Sequence, residues 1–498
     1  MIAGTGKEGE PVGQVDSLLP LFLGRMAQVL ALALLVPLAA ALLWGEDALP
    51  FFLPALCAAA GGTLLARLAA MGEGGRRQMR VVESALAMVG VWPFLALFSM
   101  QPFLLAHVLS SPAAAFFESM SALTTTGLSC LSYPEVTVRS VVLWHSLLCW
   151  VGGGVFVIVL VAILPNVSGC FGLTLTARQS LSFSPVWNRM VASVRQGLSV
   201  YAALTAVSSV LYFLAGLMPL AAVTRAMVTV SSGGSADYAL FAAHANGALE
   251  LAGGITMLFA GMNLLLCWRA WHSRRFALLW RDMELRLYVF GILASGFLLS
   301  AVLFFHDRLA LFDSLRYGFF HAVSFLTTTG YVAAPLADWS PFARLYLLLL
   351  AFVGGCIGAA GGGLKLMRVA VLVRLALAEV RRTLHPHMVV SIKMDGLAVA
   401  PKIAQRILTF FYLFVAVFFA SSLVLSLSGL PLMRAMAVAA GCLTSTGAAA
   451  SLFAPVGFSW APGWMQLFAS VVMVLGRVEI FSFLILLDQG VRYFRRHW

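Results

Sequence analysis

Four times along this chain an amphipathic run ends in a cluster of hydroxyl side chains and a glycine. The clusters are Leu123-Thr124-Thr125-Thr126-Gly127, Val230-Ser231-Ser232-Gly233-Gly234, Leu326-Thr327-Thr328-Thr329-Gly330 and Leu443-Thr444-Ser445-Thr446-Gly447. Their last glycines recur at intervals of about 100 residues, so one unit is used four times. Long apolar stretches flank every cluster, which places it at the depth of a bilayer. Irregular backbone survives there only where it is buried in protein or lines a cavity. One such cluster is more simply read as close packing of helices through small residues. Four in register favour a lining whose carbonyls and hydroxyls replace the water around an ion.

Of the 498 residues, 61% are hydrophobic and 10% charged, against about 25% charged in a soluble domain. A spanning helix needs about 20 apolar residues, and about ten such runs are visible. The chain therefore reads as an all-α polytopic membrane protein with no room for a separate soluble domain. The formal charge of +12 sits in a few segments between apolar runs, as topology requires, and does not point to nucleic acid. Cys57, Cys130, Cys149, Cys170, Cys267, Cys356 and Cys442 are scattered, mostly in apolar runs, and read as inert thiols. The nine histidines are dispersed; His385 and His387 share a basic segment without an acidic partner nearby. A membrane-embedded enzyme would need a carboxylate pair or a His/Asp cluster at one interface, so the chain is not expected to be an enzyme.

The run at 18–44, the run at 49–71 and the basic stretch Arg76-Arg77-Gln78-Met79-Arg80 form an N-terminal extension, 1–80. The repeats follow as 81–177, 178–283, 284–395 and 396–498. Each is expected to hold an apolar helix, a short apolar segment ending at its cluster, an extended stretch and a second apolar helix. The expected helices are 82–107, 113–125 and 137–165; 193–217, 219–231 and 244–271; 285–305, 312–327 and 342–382; 403–429, 431–444 and 462–488. The middle segments are too short to span and suit re-entrant helices. The segments between repeats carry Arg178, Arg189, Arg195, Arg269, Arg274, Arg275, Arg281, Arg286, Arg381, Arg382, Lys393, Lys402 and Arg406, and the chain ends with Arg492, Arg495 and Arg496. The cluster sides carry only scattered charge, such as Glu135, Arg139, Asp237, Asp338 and Arg344. The positive-inside rule then puts both termini in the cytoplasm and all four clusters on the outside.

A short helix entering from outside aims its C-terminal carbonyls, and the negative end of its dipole, at the membrane centre. The turn after it offers oxygen ligands, and glycine allows φ > 0 there. A multivalent metal would want carboxylates, and none lies inside a cluster. Glu118, on a pore helix, and Asp237, just past the second cluster, read as structural or vestibular. The expected ligands of a monovalent cation, K+ favoured, are Thr125, Thr126, Gly127, Ser232, Gly233, Gly234, Thr328, Thr329, Gly330, Ser445, Thr446 and Gly447. A Na+-permeable or weakly selective pore is the alternative. No organic cofactor is implied.

The third repeat carries Gly354-Gly355-Cys356-Ile357-Gly358-Ala359-Ala360-Gly361-Gly362-Gly363-Leu364-Lys365. Glycine costs roughly 1 kcal/mol each in a helix, so Gly358 to Gly363 predict a break, read either as a gating loop below the clusters or as close helix packing. Arg477, in Leu475-Gly476-Arg477-Val478-Glu479, is an intramembrane charge and thus a functional candidate. It is expected inside the last apolar helix, beside the pore or paired with Glu479. Lys365 and Arg368 begin the lower half of the broken helix.

These segments together resemble the superfamily of K+ transporters that includes the bacterial Trk and Ktr membrane subunits and the plant high-affinity K+ transporters. The likeness is to the Trk type. It runs through Phe117-Glu118-Ser119-Met120-Ser121-Ala122 into the first cluster, then Val151-Gly152-Gly153-Gly154, Ala162-Ile163-Leu164-Pro165, Ala337-Asp338-Trp339, the Gly-rich segment, Leu384-His385-Pro386 and Leu475-Gly476-Arg477-Val478-Glu479-Ile480-Phe481. The resemblance implies two N-terminal helices and four helix–pore loop–helix repeats around a central pore. It implies a homodimer in a bacterial inner membrane and a cytoplasmic nucleotide-binding regulatory subunit. It also implies a gate at Gly358, Ala359, Ala360, Gly361, Gly362, Gly363 and Lys365, and a basic residue of the last helix, which falls on Arg477. The chain departs from the pattern at Ser235, where an aromatic is usual, and in the fourth cluster, which others often make Asn-rich.

Overall fold

The computed structural model describes residues 18–71, 81–131, 138–162, 183–234, 247–385, 393–394, 397–453, 457–478 and 480–496. Glu135, Pro165, Cys170, Arg178, Ser235, Asp237, Pro386, His387, Glu479 and the basic run at 76–80 lie outside them.

The all-α polytopic expectation holds. Among the described residues, seven helices are long and apolar enough to cross a membrane, and up to nine if two sharply bent pairs count as spans. A two-residue antiparallel ladder, Lys393–Met394 with Leu397–Ala398, is the only sheet among the described residues.

Two helices, Leu19–Trp44 and Leu49–Met71, form a hairpin. They cross at a pair of glycines: a Cβ on Gly24 would lie 2.7 Å from the Gly62 carbonyl oxygen, and one on Gly62 2.7 Å from that of Gly24. Such mutual contacts let helices approach where lipid offers no hydrophobic drive. The hairpin turn then docks. Glu46 accepts the backbone N–H groups of Arg139 and Ser140 at 3.1 and 3.0 Å, satisfying donors that a helix N-terminus leaves open.

Four units follow, each with a leading helix, a pore helix and a return helix. The leading helices are Val81–Ser99, Phe183–Leu214, Met283–Phe305 and Pro401–Ser426. The pore helices are Pro112–Leu123, Pro219–Val230, Leu311–Leu326 and Leu432–Thr444. Proline opens the first two, where its missing N–H costs nothing. With 12 to 16 residues, each is roughly 18–24 Å long, short of the ~30 Å core. None of the four is long enough to cross it.

The return helices depart from expectation. The first, Arg139–Ala162, is continuous as described. The second was expected unbroken but bends by 90° between Gly247–Ala260 and Leu264–His272. Asn263 makes the bend: its side-chain oxygen accepts from the N–H groups of Leu265 and Leu266 at 3.0 and 3.2 Å, a helix N-cap. The third breaks as predicted, but earlier and for longer, between Pro341–Val353 and Leu366–Leu384. The fourth was also expected whole and turns by 115° after Gly463–Arg477. Arg477 thus ends a helix rather than lying within one.

The units close into a ring through four different seams. Between the first and second, Tyr201 donates to the Trp150 carbonyl at 3.0 Å and the Trp150 indole to Thr205 at 3.0 Å. Between the second and third, Arg316 pairs with Glu250 through two bonds of 2.6 Å. Phe352 packs edge-on against Phe414 and Phe418 between the third and fourth. Phe117 stacks on Phe458, and Phe458 N–H donates to the Ser129 carbonyl at 2.8 Å, between the fourth and first.

Return helices lie directly on pore-helix backbone. A Cβ on Gly152 would stand 2.0 Å from the Leu123 carbonyl oxygen, and one on Gly476 2.1 Å from that of Leu443. Neither obstacle is a side chain that can move aside. Gly152→Ala and Gly476→Ala should therefore lower thermal stability in detergent by at least the ~1–3 kcal/mol of overpacking. Gly90→Ala, whose Cβ would meet nothing within 4 Å, should raise it by about 0.5–1 kcal/mol through helix propensity. Melting curves of the three variants check this.

Candidate functional site

The four pore helices share one feature at their ends. In the first, Thr125 N–H bonds the Ala122 carbonyl at 3.0 Å and Thr126 N–H bonds that of Ser121 at 2.8 Å. Ser232 and Gly233 repeat the pair onto Thr229 and Val228, at 3.0 and 2.9 Å. These two are Schellman endings; in the third the Gly330 N–H takes the Ser324 carbonyl instead, at 3.2 Å, and all four place a left-handed residue just past the helix. That residue is Thr125, Ser232, Thr328 or Ser445, with φ between 53 and 60°. Glycine is the usual occupant, and a side chain there costs about 1–2 kcal/mol. Four hydroxyl residues in this conformation at matching positions mark a strained turn kept in place by its surroundings.

The hydroxyls divide into two sets. Those that flank the left-handed residue turn back into the protein: Thr124 pairs with Thr126 at 2.9 Å, Thr327 with Thr329 at 2.9 Å, and Thr444 bonds the Ala440 carbonyl at 2.8 Å. The left-handed residues differ. The hydroxyl oxygens of Thr125, Ser232 and Ser445 are buried without a hydrogen-bond partner. The fourth of the set, Thr328, accepts the N–H of Gly362 at 2.8 Å. These three hydroxyls thus share one position, just past the ends of their pore helices.

The glycines meet one another. A Cβ on Gly127 would fall 1.8 Å from the Gly234 carbonyl oxygen, one on Gly234 2.3 Å from that of Thr329, and one on Gly447 2.5 Å from the carbonyl carbon of Gly127. On Gly330 it would lie 3.3 Å from the Ala448 Cβ. The structure thus brings all four clusters around one axis. It also revises why glycine is needed. Gly127 and Gly330 have φ of 75 and 78°, as expected. Gly447 has φ −54° and opens a short helix, Ala448–Ser451, and Gly234 is not left-handed either. In these two, close backbone approach and not φ excludes a side chain. The fourth segment also crosses to the first, where Gly447 N–H bonds the Thr126 carbonyl at 2.6 Å.

The Gly-rich segment lies against this ring. A Cβ on Gly361 would meet Thr328 Oγ1 at 2.5 Å and the Thr327 carbonyl oxygen at 2.7 Å; on Gly362 it would meet the Thr444 carbonyl oxygen at 2.2 Å and the Ser445 Cβ at 2.9 Å. Gly358 and Gly363 adopt φ of 89 and 76°. Ala359 and Ala360 are buried. Lys365 and Arg477 reach the loop from two sides. Lys365 Nζ donates to the Gly361 carbonyl at 2.5 Å and Arg477 Nη1 to the Ala360 carbonyl at 2.6 Å. Both cations face the Phe156 ring, at 5.9 and 3.9 Å from its centre. Lys365 is buried, with φ 72°. Arg368, one turn on, lies over the Phe410 ring at 4.5 Å.

Several residues in this arrangement went unremarked in the sequence. Asn263 faces Gly358 and shapes the bend beside the loop. Glu284 accepts the Ile357 N–H at 2.6 Å, and the Gly261 carbonyl accepts that of Cys356 at 3.0 Å. An Asn before an apolar run is a legible cap signal. Glu284 carried no signal beyond its proximity to a basic segment.

A family model described as "TrkH: Cation transport protein" matches residues 101–490. The chain is 28% identical over 469 residues to the Trk system potassium uptake protein TrkH of Halomonas elongata, covering 93% of this chain and 96% of that one. It is 30% identical over 404 residues to TrkI of the same organism, covering 80% and 81%. The crystal structure of the potassium transporter TrkH from Vibrio parahaemolyticus superposes with a TM-score of 0.85 at 26% identity, over 95% of this chain and 98% of that one.

The Thr328–Gly362 bond ties loop to ring. Thr328→Val leaves a buried N–H unpaired, at a cost of about 1–3 kcal/mol. Hydrogen exchange across 354–365 should accelerate by about tenfold or more, while exchange in Pro401–Ser426 stays unchanged.

Proposed function

The chain belongs to the TrkH family of cation transport proteins, and from that premise we propose that it takes up K+ through a selective pore at the ring of four clusters, closed by the Gly-rich loop. It is a transporter and not an enzyme. The observation that carries the proposal is the convergence of Gly127, Gly234, Gly330 and Gly447 around one axis, beside the unpaired hydroxyls of Thr125, Ser232 and Ser445.

The chemistry follows from what is available. Pore-helix C-termini aim partial negative charge at the site. The ligands are carbonyl oxygens of Thr125, Thr126, Gly127, Ser232, Gly233, Gly234, Thr328, Thr329, Gly330, Ser445, Thr446 and Gly447, with the hydroxyls of the left-handed residues. Neutral oxygens replace the hydration shell of a weakly hydrated monovalent cation without trapping it. The side-chain hydroxyls of Thr126 and Thr329 serve differently, because their bonds to Thr124 and Thr327 hold the turn from behind.

In the closed state Gly361 and Gly362 occupy the space under the ring, and Lys365 with Arg477 adds positive charge there. Two bonds set the latch: Gly362 to Thr328, and Arg477 to Ala360. Opening withdraws the loop and parts both. The clusters face outward and the basic inter-repeat segments face the cytoplasm of a bacterial inner membrane. Inward K+ movement then gains about 2.3 kcal/mol per 100 mV. No carboxylate lies among the ring or loop residues to couple a proton. Division into repeats at 81–177, 178–283, 284–395 and 396–498, homodimer assembly and a cytoplasmic nucleotide-binding regulatory subunit belong to the same proposal, on the strength of the resemblance.

The test is ion flux into liposomes that hold the purified protein. Rb+ uptake should be competed by K+ and should exceed Na+ uptake. Gly330→Ser, strained at φ 78° by about 1–2 kcal/mol, should cut that preference about tenfold. Arg477→Ala should raise Rb+ flux several-fold by unlatching the loop. Equal Rb+ and Na+ fluxes in the unaltered protein would replace the proposal with a weakly selective cation pore.

A further inference from the structure

Behind the ring, two side chains at matching positions do the same thing by different chemistry. Glu118 stands to Gly127 as His321 stands to Gly330. Both are fully buried, one on the first pore helix and one on the third. Glu118 Oε2 accepts the Cys130 N–H at 2.7 Å, and His321 Nε2 accepts the Ala333 N–H at 3.1 Å. Each bond spans 12 residues, from the pore helix over the filter to the strand leaving it.

Each brace is itself held. The Glu118 carboxylate also accepts from Ser129 Oγ at 2.8 Å and lies 3.0 Å from His145 Nε2, on the return helix. His321 Nδ1 lies 2.8 Å from the Tyr317 carbonyl. Because Nε2 must accept, Nδ1 carries the proton and donates to that carbonyl. Trp339 packs edge-on against the imidazole at 4.8 Å. Ser324 adds a second tie in the third repeat, donating to the Tyr331 carbonyl at 2.7 Å.

The matching positions of the other two repeats carry other residues, and the stretch that leaves the second filter lies outside the described residues. Arg225 holds the matching position in the second, and its guanidinium lies over the Tyr331 ring at 5.4 Å. It supports the third repeat. Val438 holds it in the fourth, where the exit is the helix Ala448–Ser451. The repeats of Glu118 and His321 are also the two whose filter glycines are left-handed. A left-handed glycine is mobile, so its carbonyl direction depends on what fixes the residues beyond it.

We propose that Glu118 and His321 are equivalent positioning residues which, by fixing the exit strands of the first and third repeats, set the discrimination of the pore between K+ and Na+. Neither touches the ion. Discrimination needs oxygens held at one distance, because a filter that can contract coordinates the smaller Na+ as well. This rests on the reading of the ring as a K+ filter, and the assay below separates the two.

Rb+ and Na+ fluxes would be measured in liposomes for the unaltered protein and for Glu118→Leu, Glu118→Gln, His321→Leu and His321→Gln. Glutamine keeps an oxygen that can accept the amide; leucine does not. The expected result is a Na+/Rb+ flux ratio raised about tenfold in the leucine variants, the factor carried by one lost buried hydrogen bond, and restored to within about threefold of the unaltered ratio by glutamine. A general packing defect would lower both fluxes together and leave the ratio alone. Unchanged ratios in conducting leucine variants would overturn the proposal, as would equal loss of selectivity in the leucine and glutamine variants. Should the leucine variants fail to reach the membrane, Ser129→Ala, which deletes one donor to Glu118, decides instead: a raised ratio supports the brace and an unchanged one overturns it. If the unaltered protein shows no preference for Rb+, the K+ filter reading fails first, and this inference fails with it.

Discussion

Lipid offers nothing to a backbone amide, and this fold breaks its helices repeatedly at membrane depth. Every freed N–H must then find an acceptor inside the protein. The acceptors come from elsewhere in the chain: Glu284 for Ile357, the Gly261 carbonyl for Cys356, Thr328 for Gly362, Glu118 for Cys130, His321 for Ala333 and the Ser129 carbonyl for Phe458. The same bonds that allow irregular backbone also decide where it points. Glycine serves that end chiefly by thinness. Gly152, Gly234, Gly362 and Gly476 each sit where a Cβ would strike a carbonyl oxygen at 2.3 Å or less.

Much of this was legible without coordinates, because periodicity and composition report on the solvent around each segment. The clusters, the short pore helices and the Gly-rich break all follow from a local count of apolar, hydroxyl and glycine residues. The bend at Asn263 had only a cap signal to mark it, and the one at Arg477 none, because apolar runs continue through both and hydropathy does not register backbone direction. Nor were the pairings. Glu118 read as structural, but its partners Ser129, Cys130 and His145 are chosen by the fold. His321 looked like one of nine dispersed histidines, and only its place relative to Gly330 gives it meaning. Arg477 drew notice as a charge among apolar residues, yet its acceptor, the Ala360 carbonyl, lies 117 residues away.

The four units share a plan and differ in detail. Three keep a free hydroxyl at the left-handed position while the third gives its own to the loop. The first return helix is continuous as described, and the others bend at Asn263, open at Gly354 or turn after Arg477. The seams are likewise unlike: indole and hydroxyl, ion pair, phenyl edges, stacked rings. The left-handed residue just past each pore helix is common to all, while the glycines beyond it differ in conformation.

In the proposed pore a loop the size of 354–365 sits under the ring once, beside one lysine and one arginine. A pore assembled from four identical chains could not be built this way. Whatever one subunit placed under the axis would appear four times: four loops would collide in the space that one fills, and four arginines would repel where one finds the Ala360 carbonyl. Joining the quarters into a single polypeptide frees each from copying the others. A single loop under the axis, as proposed here, is a feature that only broken symmetry permits.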